Sequence, residues 1–208
     1  MTTELILIRH GETDWNKKSL IQGQTDIELN QTGYHQAELL GACLKKIDFN
    51  YDLIYSSDLS RARATASTTF GNKTDVIESS ALREIDFGNW EGDNFNEIES
   101  KYPDLYLNWQ KNPAIYNPPG GENLTQFSQR VGDYLTEIIE KNQEQKLIVV
   151  THGGVVKIAL SIFLKVDLKR FWQFEVDNTS VTIIKFYEKT PILSKLNLIL
   201  ARPAQNLN

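Results

Sequence analysis

Two stretches of this chain share one design, an apolar run that ends in a histidine followed by glycine. Leu5-Ile6-Leu7-Ile8 leads into Arg9-His10-Gly11, and Leu147-Ile148-Val149-Val150 leads into Thr151-His152-Gly153-Gly154. Each run reads as a strand delivering a histidine into a glycine-opened loop. In α/β proteins ligands bind outside the carboxyl ends of the strands. Two histidines so placed point to one site assembled from distant parts of the chain. Arg9 adds a planar, permanently charged fork suited to phosphate, and imidazole is a nucleophile or proton carrier near neutral pH.

The pattern between these runs alternates helix and strand. Thr32 is placed to cap a helix from Gly33 to about Lys46, with Ala37, Leu40, Leu44 and Ile47 at helical spacing. Leu53-Ile54-Tyr55 reads as a buried strand, and Ser56-Ser57-Asp58 as the cap of a helix from Leu59 to Phe70. Val76-Ile77 is a third strand. Leu124, Phe127, Val131, Leu135, Ile138 and Ile139 mark one face of a long amphipathic helix. A helix from Val155 to Leu164 and strands over 181–186 and 196–200 complete the order. This alternation predicts an α/β three-layer sandwich, with a mainly parallel central sheet and helices on both faces.

From Leu82 to Pro119 the regularity breaks at Gly88, Gly92, Pro103, Pro113 and Pro118-Pro119. Long irregular connections tend to be functional. The expectation is therefore a single domain over 1–208, with 85–122 as an irregular cap-like insertion over the site.

The chain has 208 residues, enough for one compact domain with a substantial core. A net charge of −5 argues against general nucleic-acid binding, though a few arginines in a cleft still make a local field for a small anion. One cysteine, Cys43, excludes an intramolecular disulfide and a multi-cysteine metal site, and is expected to be a small buried core residue. No stretch approaches the roughly 20 apolar residues of a membrane span. The N-terminal run, ending in Arg9, is a strand and not a secretory signal. A soluble, reduced, cytoplasmic protein with no membrane partner is expected, and a homodimer is left open.

Four segments hold what catalysis would want: Arg9-His10-Gly11-Glu12-Thr13-Asp14-Trp15-Asn16, Ser56-Ser57-Asp58-Leu59-Ser60-Arg61-Ala62, Leu82-Arg83-Glu84-Ile85-Asp86-Phe87-Gly88-Asn89-Trp90-Glu91-Gly92, and Thr151-His152-Gly153. In this order they resemble the histidine phosphatase superfamily, also called phosphoglycerate mutase-like. Pro119-Gly120-Gly121-Glu122 resembles its G-G-E element, with Asn123 where serine is more usual. The resemblance runs from about Leu5 to Phe186.

That resemblance implies a phosphomonoester hydrolase acting on a small phosphorylated metabolite through a phosphohistidine, with no metal and no cofactor. His10 matches the nucleophile, and nearby arginines would favour its neutral form by like-charge repulsion. Arg9 and Arg61 match the two arginines that grip the phosphoryl oxygens, and bidentate forks supply both position and charge. His152 matches the second histidine, placed to hydrogen-bond the phosphoryl group. Asn16 matches an amide donor to the same group, and Gly153 offers a backbone N–H. Gln22 and Gly23 are assigned to substrate binding. Glu84 matches the acid that protonates the leaving oxygen and then activates water, with Asp86 and Glu91 as its rivals.

The family holds mutases as well as phosphatases. Those mutases are usually longer between the acid loop and the G-G-E element, whereas here only Gly92 to Gly120 separates them. The segment beginning Asp177-Asn178 also looks like the phosphatase branch, resembling broad-specificity and α-ribazole-5′-phosphate phosphatases. A cofactor-dependent phosphoglycerate mutase is the alternative. His35 and Arg63 read as surface residues, and Asp86 and Glu91 as loop-holding carboxylates. Lys17 and Lys18 read as a solvated face. Trp15, Trp90, Trp109 and Tyr116 read as packing residues, with a place at the substrate entrance left open. The tail from Ala201 to Asn208 is polar.

Overall fold

The computed structural model of the protein describes residues 2–72, 74–188 and 190–200; the expectation for the tail lies outside them. Six strands form one sheet in the order β3-β2-β4-β1-β5-β6. They are β1 (Thr2–Arg9), β2 (Leu53–Ser57), β3 (Val76–Ser79), β4 (Lys146–Thr151), β5 (Val181–Tyr187) and β6 (Thr190–Leu198). Only β5 runs against the others, so its pairings with β1 and β6 are antiparallel and the remaining three are parallel.

The apolar runs are explained by burial on both faces. In β1, Leu5 and Leu7 join one core cluster while Ile6 and Ile8 join another, because successive side chains point to opposite sides. β4 divides in the same way, Leu147 and Val149 from Ile148 and Val150. Helices α2 (Gln31–Lys46) and α3 (Ser60–Phe70) cover one face through Leu40, Leu44, Ala62 and Ala66. Helices α6 (Leu124–Lys141) and α7 (Gly153–Phe163) cover the other. The helix after β1 and the helix after β4 therefore leave neighbouring strand ends toward opposite faces. That divergence opens a crevice at the carboxyl edge, the usual ligand position in such sheets.

Local signals were resolved differently at several ends. Asn30, not Thr32, caps α2, its side chain accepting from the Gly33 N–H. Leu59 precedes α3 without a side-chain cap, because Asp58 is drawn into a bidentate pair with Arg83, at 2.6 and 2.8 Å. Helix α7 starts at Gly153, two residues before the expected Val155, and β6 starts at Thr190 rather than Leu196. Cys43 is half-buried rather than a core residue: the buried stripe of α2 runs through Gly33, Ala37, Leu40 and Leu44, and Cys43 lies beside it.

The segment after β3 holds short 3₁₀ turns and the helices α4 (Phe95–Lys101) and α5 (Pro103–Lys111). Trp90, Tyr106 and Trp109 stack there edge and face, with ring centroids 5.4 to 6.1 Å apart. Trp90 and Trp109 are buried, as the packing reading required. The remaining short helix, α1 (Asp14–Lys17), is closed by a capping box between Thr13 and Asn16. Among the described residues no helix is long and apolar enough to cross a membrane.

Candidate active site

The carboxyl ends of β1, β2 and β4 bring Arg9, His10, Arg61 and His152 together. His10 continues the ladder, its N–H donating to the Thr151 carbonyl at 2.8 Å. Its ring Nδ1 lies 2.7 Å from the Gly11 carbonyl oxygen. A carbonyl only accepts, so Nδ1 carries the proton and Nε2 is left with a free lone pair. Burial, then the charges of Arg61 and Arg9, hold His10 well below the ordinary histidine range. The residue is thus a neutral imidazole with its proton on Nδ1.

His152 has the opposite tautomer. Arg61 Nε donates to its Nδ1 at 3.3 Å, so Nε2 bears the proton and donates to Ser57 Oγ at 2.9 Å. The two imidazoles meet edge to face, with centroids 5.1 Å apart. Burial and Arg61 hold His152 too in its neutral form. It is fully buried behind His10 and Arg61 and does not itself line the cleft.

Arg61 is also fully buried. Its Nη1 donates to the Thr25 carbonyl at 2.8 Å and its Nη2 to that of Gly23 at 2.6 Å. Burial lowers its pKa to about 10, which leaves it charged at neutral pH. The loop it grips is fixed from the far side by Glu91, which accepts from the backbone N–H groups of Gln24, Thr25 and Phe87. Glu91 is therefore a loop-holding carboxylate. Arg9 donates from Nη1 to the Val176 carbonyl at 2.6 Å, while its buried Nε has no partner among the described residues.

Glu84 faces the same cleft. Its Oε1 accepts from its neighbour Ile85 N–H at 2.9 Å and its Oε2 from the Gly154 N–H at 3.0 Å. A Cβ at Gly154 would fall 1.9 Å from Glu84 Oε1, so the second glycine after His152 is what admits the carboxylate. Asp86 turns away and caps Gly88 N–H at 2.8 Å. A similar close approach joins Gly11 and Gly33, where a Cβ on Gly11 would lie 2.5 Å from the Gly33 carbonyl oxygen. This seats the nucleophile loop flush on α2.

Asn16, Gln22, Gly23 and Gly153 all line the cleft, as expected of binding residues. Asn16 Oδ1 is occupied by Thr13 and Asn178, which leaves its NH₂ for a ligand. Gln22 is buried, and its Oε1 has no partner among the described residues. The cleft encloses about 260 Å³. Among the described residues no group of three or more His, Cys, Asp or Glu side chains is gathered as metal ligands would be.

The sequence model of the Histidine phosphatase superfamily (branch 1) matches residues 5–199. This chain belongs to that family. It is similar to Phosphoserine phosphatase 1 of Hydrogenobacter thermophilus, 35% identical over 94% of this chain and 92% of that protein. It is likewise similar to the 2,3-bisphosphoglycerate-dependent phosphoglycerate mutase of Cytophaga hutchinsonii, 34% identical over 90% and 96%. Among solved structures, the alpha-ribazole phosphatase from Shigella flexneri superposes with a TM-score of 0.87 at 29% identity, covering 98% of this chain and all of that one.

Within this histidine phosphatase site, several residues were not foreseen. Asn178 donates to the His10 carbonyl at 2.9 Å, and Thr179 N–H to that of Arg9 at 3.0 Å. Thr179 adopts φ 55°, a left-handed conformation costly for a β-branched residue, so the turn that props the nucleophile is strained. Arg130 of α6 donates to the carbonyls of Ala81, Arg83 and Glu84, and pairs with Glu122 of the G-G-E element. The aromatic side chains lining the cleft are Phe87, Phe95, Phe171 and Trp172. Of the four residues considered for the entrance, none lines it. Trp15 is half-buried beside Gly92 and Tyr116 is exposed. Lys157 also lines the cleft; one polar residue inside Val155-Val156-Lys157-Ile158-Ala159-Leu160 was the available signal.

Proposed function

We propose that this cleft hydrolyses small phosphomonoesters in two steps through a phosphohistidine on His10. Nε2 attacks phosphorus and the P–O ester bond breaks, with a proton passing from the Glu84 carboxyl to the departing alcohol. Water then attacks the phosphohistidine and returns its proton to Glu84, the P–N bond breaks, and orthophosphate leaves. Arg9 and Arg61 hold the phosphoryl oxygens, aided by the Asn16 amide, the Gly153 N–H at the start of α7, and the loop carrying Gln22 and Gly23. His152 accepts from Arg61 and so positions that guanidinium from behind. With its Nε2–H given to Ser57, it has no N–H left for the phosphoryl oxygens, in place of the direct hydrogen bond expected from the resemblance. Residues 85–122 act as the cap.

The observation that carries this reading is the tautomer of His10. Its Nδ1–H is committed to the Gly11 carbonyl, leaving a lone pair on Nε2 in a buried site between two guanidinium groups. Those guanidinium groups supply the charge a metal would supply elsewhere. The names of the phosphoserine and α-ribazole phosphatase relatives support a small phosphorylated metabolite as substrate. We read the enzyme as cytoplasmic.

The test is phosphate release from a panel of phosphomonoesters in the presence of chelator, with acid-labile phosphoenzyme trapped on mixing. His10→Ala is expected to lose at least about 10⁴-fold in turnover and all of the trapped label. Retained label in that variant, or abolition of activity by chelator, would refute the mechanism. The 34% identical Cytophaga protein favours a second reading, a mutase. Isomerisation of phosphoglycerate on adding 2,3-bisphosphoglycerate, without phosphate release, would establish that one.

A further inference from the structure

The cleft has two chemically different parts. At its floor the charges are engaged: Arg61 on Thr25 and Gly23, Arg9 on Val176, Glu84 on Ile85 and Gly154. Above them the walls are apolar, built largely from Ile85, Phe87, Phe95, Phe171 and Trp172, and one charge interrupts them. That charge is Lys157, the one residue between Gly153 and Leu160 on α7 that is not fully buried. It lies four residues after Gly153 and three after Gly154, so it shares the helix face that holds Glu84.

The Lys157 ammonium is placed 5.4 Å from the Phe171 ring centroid and 5.3 Å from that of Trp172. Both rings present their faces to it, and both belong to the cleft. Among the described residues it has no carboxylate within 4.0 Å. Glu84 acts on it only from beyond contact distance, and a partly buried cation with no carboxylate in contact costs desolvation free energy that a ligand's charge would offset. Aromatic faces hold a lysine in position without neutralising it.

We infer that Lys157 binds a carboxylate on the substrate, so that this enzyme selects phosphomonoesters of small hydroxy acids, amino acids included. One ammonium matches one monoanion. A second phosphoryl dianion would meet this single lysine, where the first meets two guanidinium forks. The inference rests on the phosphatase reading for its substrates, and concerns the wall of the cleft rather than the reaction at its floor.

Two substrate pairs isolate the carboxylate. O-Phosphoserine differs from O-phosphoethanolamine by that group alone, and 3-phosphoglycerate differs from glycerol 3-phosphate by a carboxylate in place of a hydroxymethyl. The native enzyme is expected to favour the carboxylate member of each pair in kcat/KM. Lys157→Met should reduce that preference about ten- to a hundredfold, mainly through KM, and Lys157→Arg should restore much of it. An equal fall for both members would overturn the inference and make Lys157 a support for Glu84 or the fold. An unchanged preference would overturn it too, as would a loss confined to a bisphosphate. Should the native enzyme release phosphate from none of the four, the phosphatase reading fails separately. Calorimetric binding of phosphoserine and phosphoethanolamine to native protein and Lys157→Met then decides the carboxylate question by itself.

Discussion

At the floor of the cleft Arg9, His10, Arg61 and Glu84 are each held by the backbone of another segment, whereas along the walls side chains mostly touch side chains. His10 is bonded to Gly11, Thr151 and Asn178, and Arg61 to Gly23, Thr25 and His152. Phe95 and Trp172, by contrast, meet edge to face at 6.3 Å and are 37% and 45% exposed. The floor is assembled where β1, β2 and β4 end, so moving one of its groups means moving a strand. The walls come from segments near residues 87, 95 and 171, whose side chains can change without disturbing the sheet. A fold built this way keeps one phosphoryl chemistry while its walls adapt to different esters.

Glu84 stands where the two parts meet, and replacing it gives the largest effect that separates them. Glu84→Gln preserves the shape and can still accept from Gly154 N–H through its carbonyl oxygen, but it cannot deliver a proton. With an alkyl phosphate the rate of the first step is expected to fall about 10²- to 10⁴-fold. With p-nitrophenyl phosphate, whose leaving group needs little help, the fall should be far smaller. An equal loss on both esters would mean that Glu84 serves the architecture of α7, and Asp86 would return as the candidate acid.

The same division governs what could be read from the sequence. Arg9, His10 and His152 each lie at the end of an apolar run, and that local pattern is visible in one dimension. The two core faces of β1 and β4 follow from unbroken apolar runs for the same reason. Glu84, by contrast, was legible only through the resemblance of its loop, since the glycine that admits it, Gly154, is far away in the chain. Lys157, Phe171 and Trp172 converge only because α7 packs against the 168–173 turn, and no local pattern announces that contact. The segment holding Asn178 and Thr179 was legible only as a mark of the phosphatase branch; its bonds to the backbone of residues more than 160 positions away carry no local pattern. The caps failed at Thr32 and Asp58 because competing partners, Asn30 for one and Arg83 for the other, were equally local or far more remote.

A smaller effect belongs to the two buried imidazoles of the floor, which the walls do not share. His10 and His152 are both held well below 6.5, chiefly by burial and then by Arg61. The unfolded chain therefore binds protons that the folded one refuses. The stability so gained is complete above about 6.5 and is lost as pH falls from there through the folded values. Each histidine contributes up to about 1.4 kcal/mol per pH unit in that window, so together roughly 1–3 kcal/mol should disappear between pH 7.5 and 5.5. Denaturant midpoints at the two pH values measure it. His10→Ala should remove about half of the acid sensitivity. Equal sensitivity in native protein and His10→Ala would show that His10 contributes nothing to the acid response.

The smallest expected effect tests whether an aromatic residue in the irregular segment acts merely by being aromatic. Tyr116 lies on that segment, 46% exposed, outside the cleft lining, with its backbone N–H bonded to the Asn112 carbonyl. Its ring contributes neither to the stack around Trp109 nor to the bracket around Lys157. Tyr116→Ala should therefore alter stability by no more than about 0.5 kcal/mol and leave KM within about twofold. Trp172→Ala removes a ring of comparable exposure, but one that faces Lys157, and should raise KM for a carboxylate ester about two- to tenfold. If the two substitutions changed KM alike, selection would not depend on the rings that face Lys157, and the separation between a fixed floor and a side-chain wall would not hold.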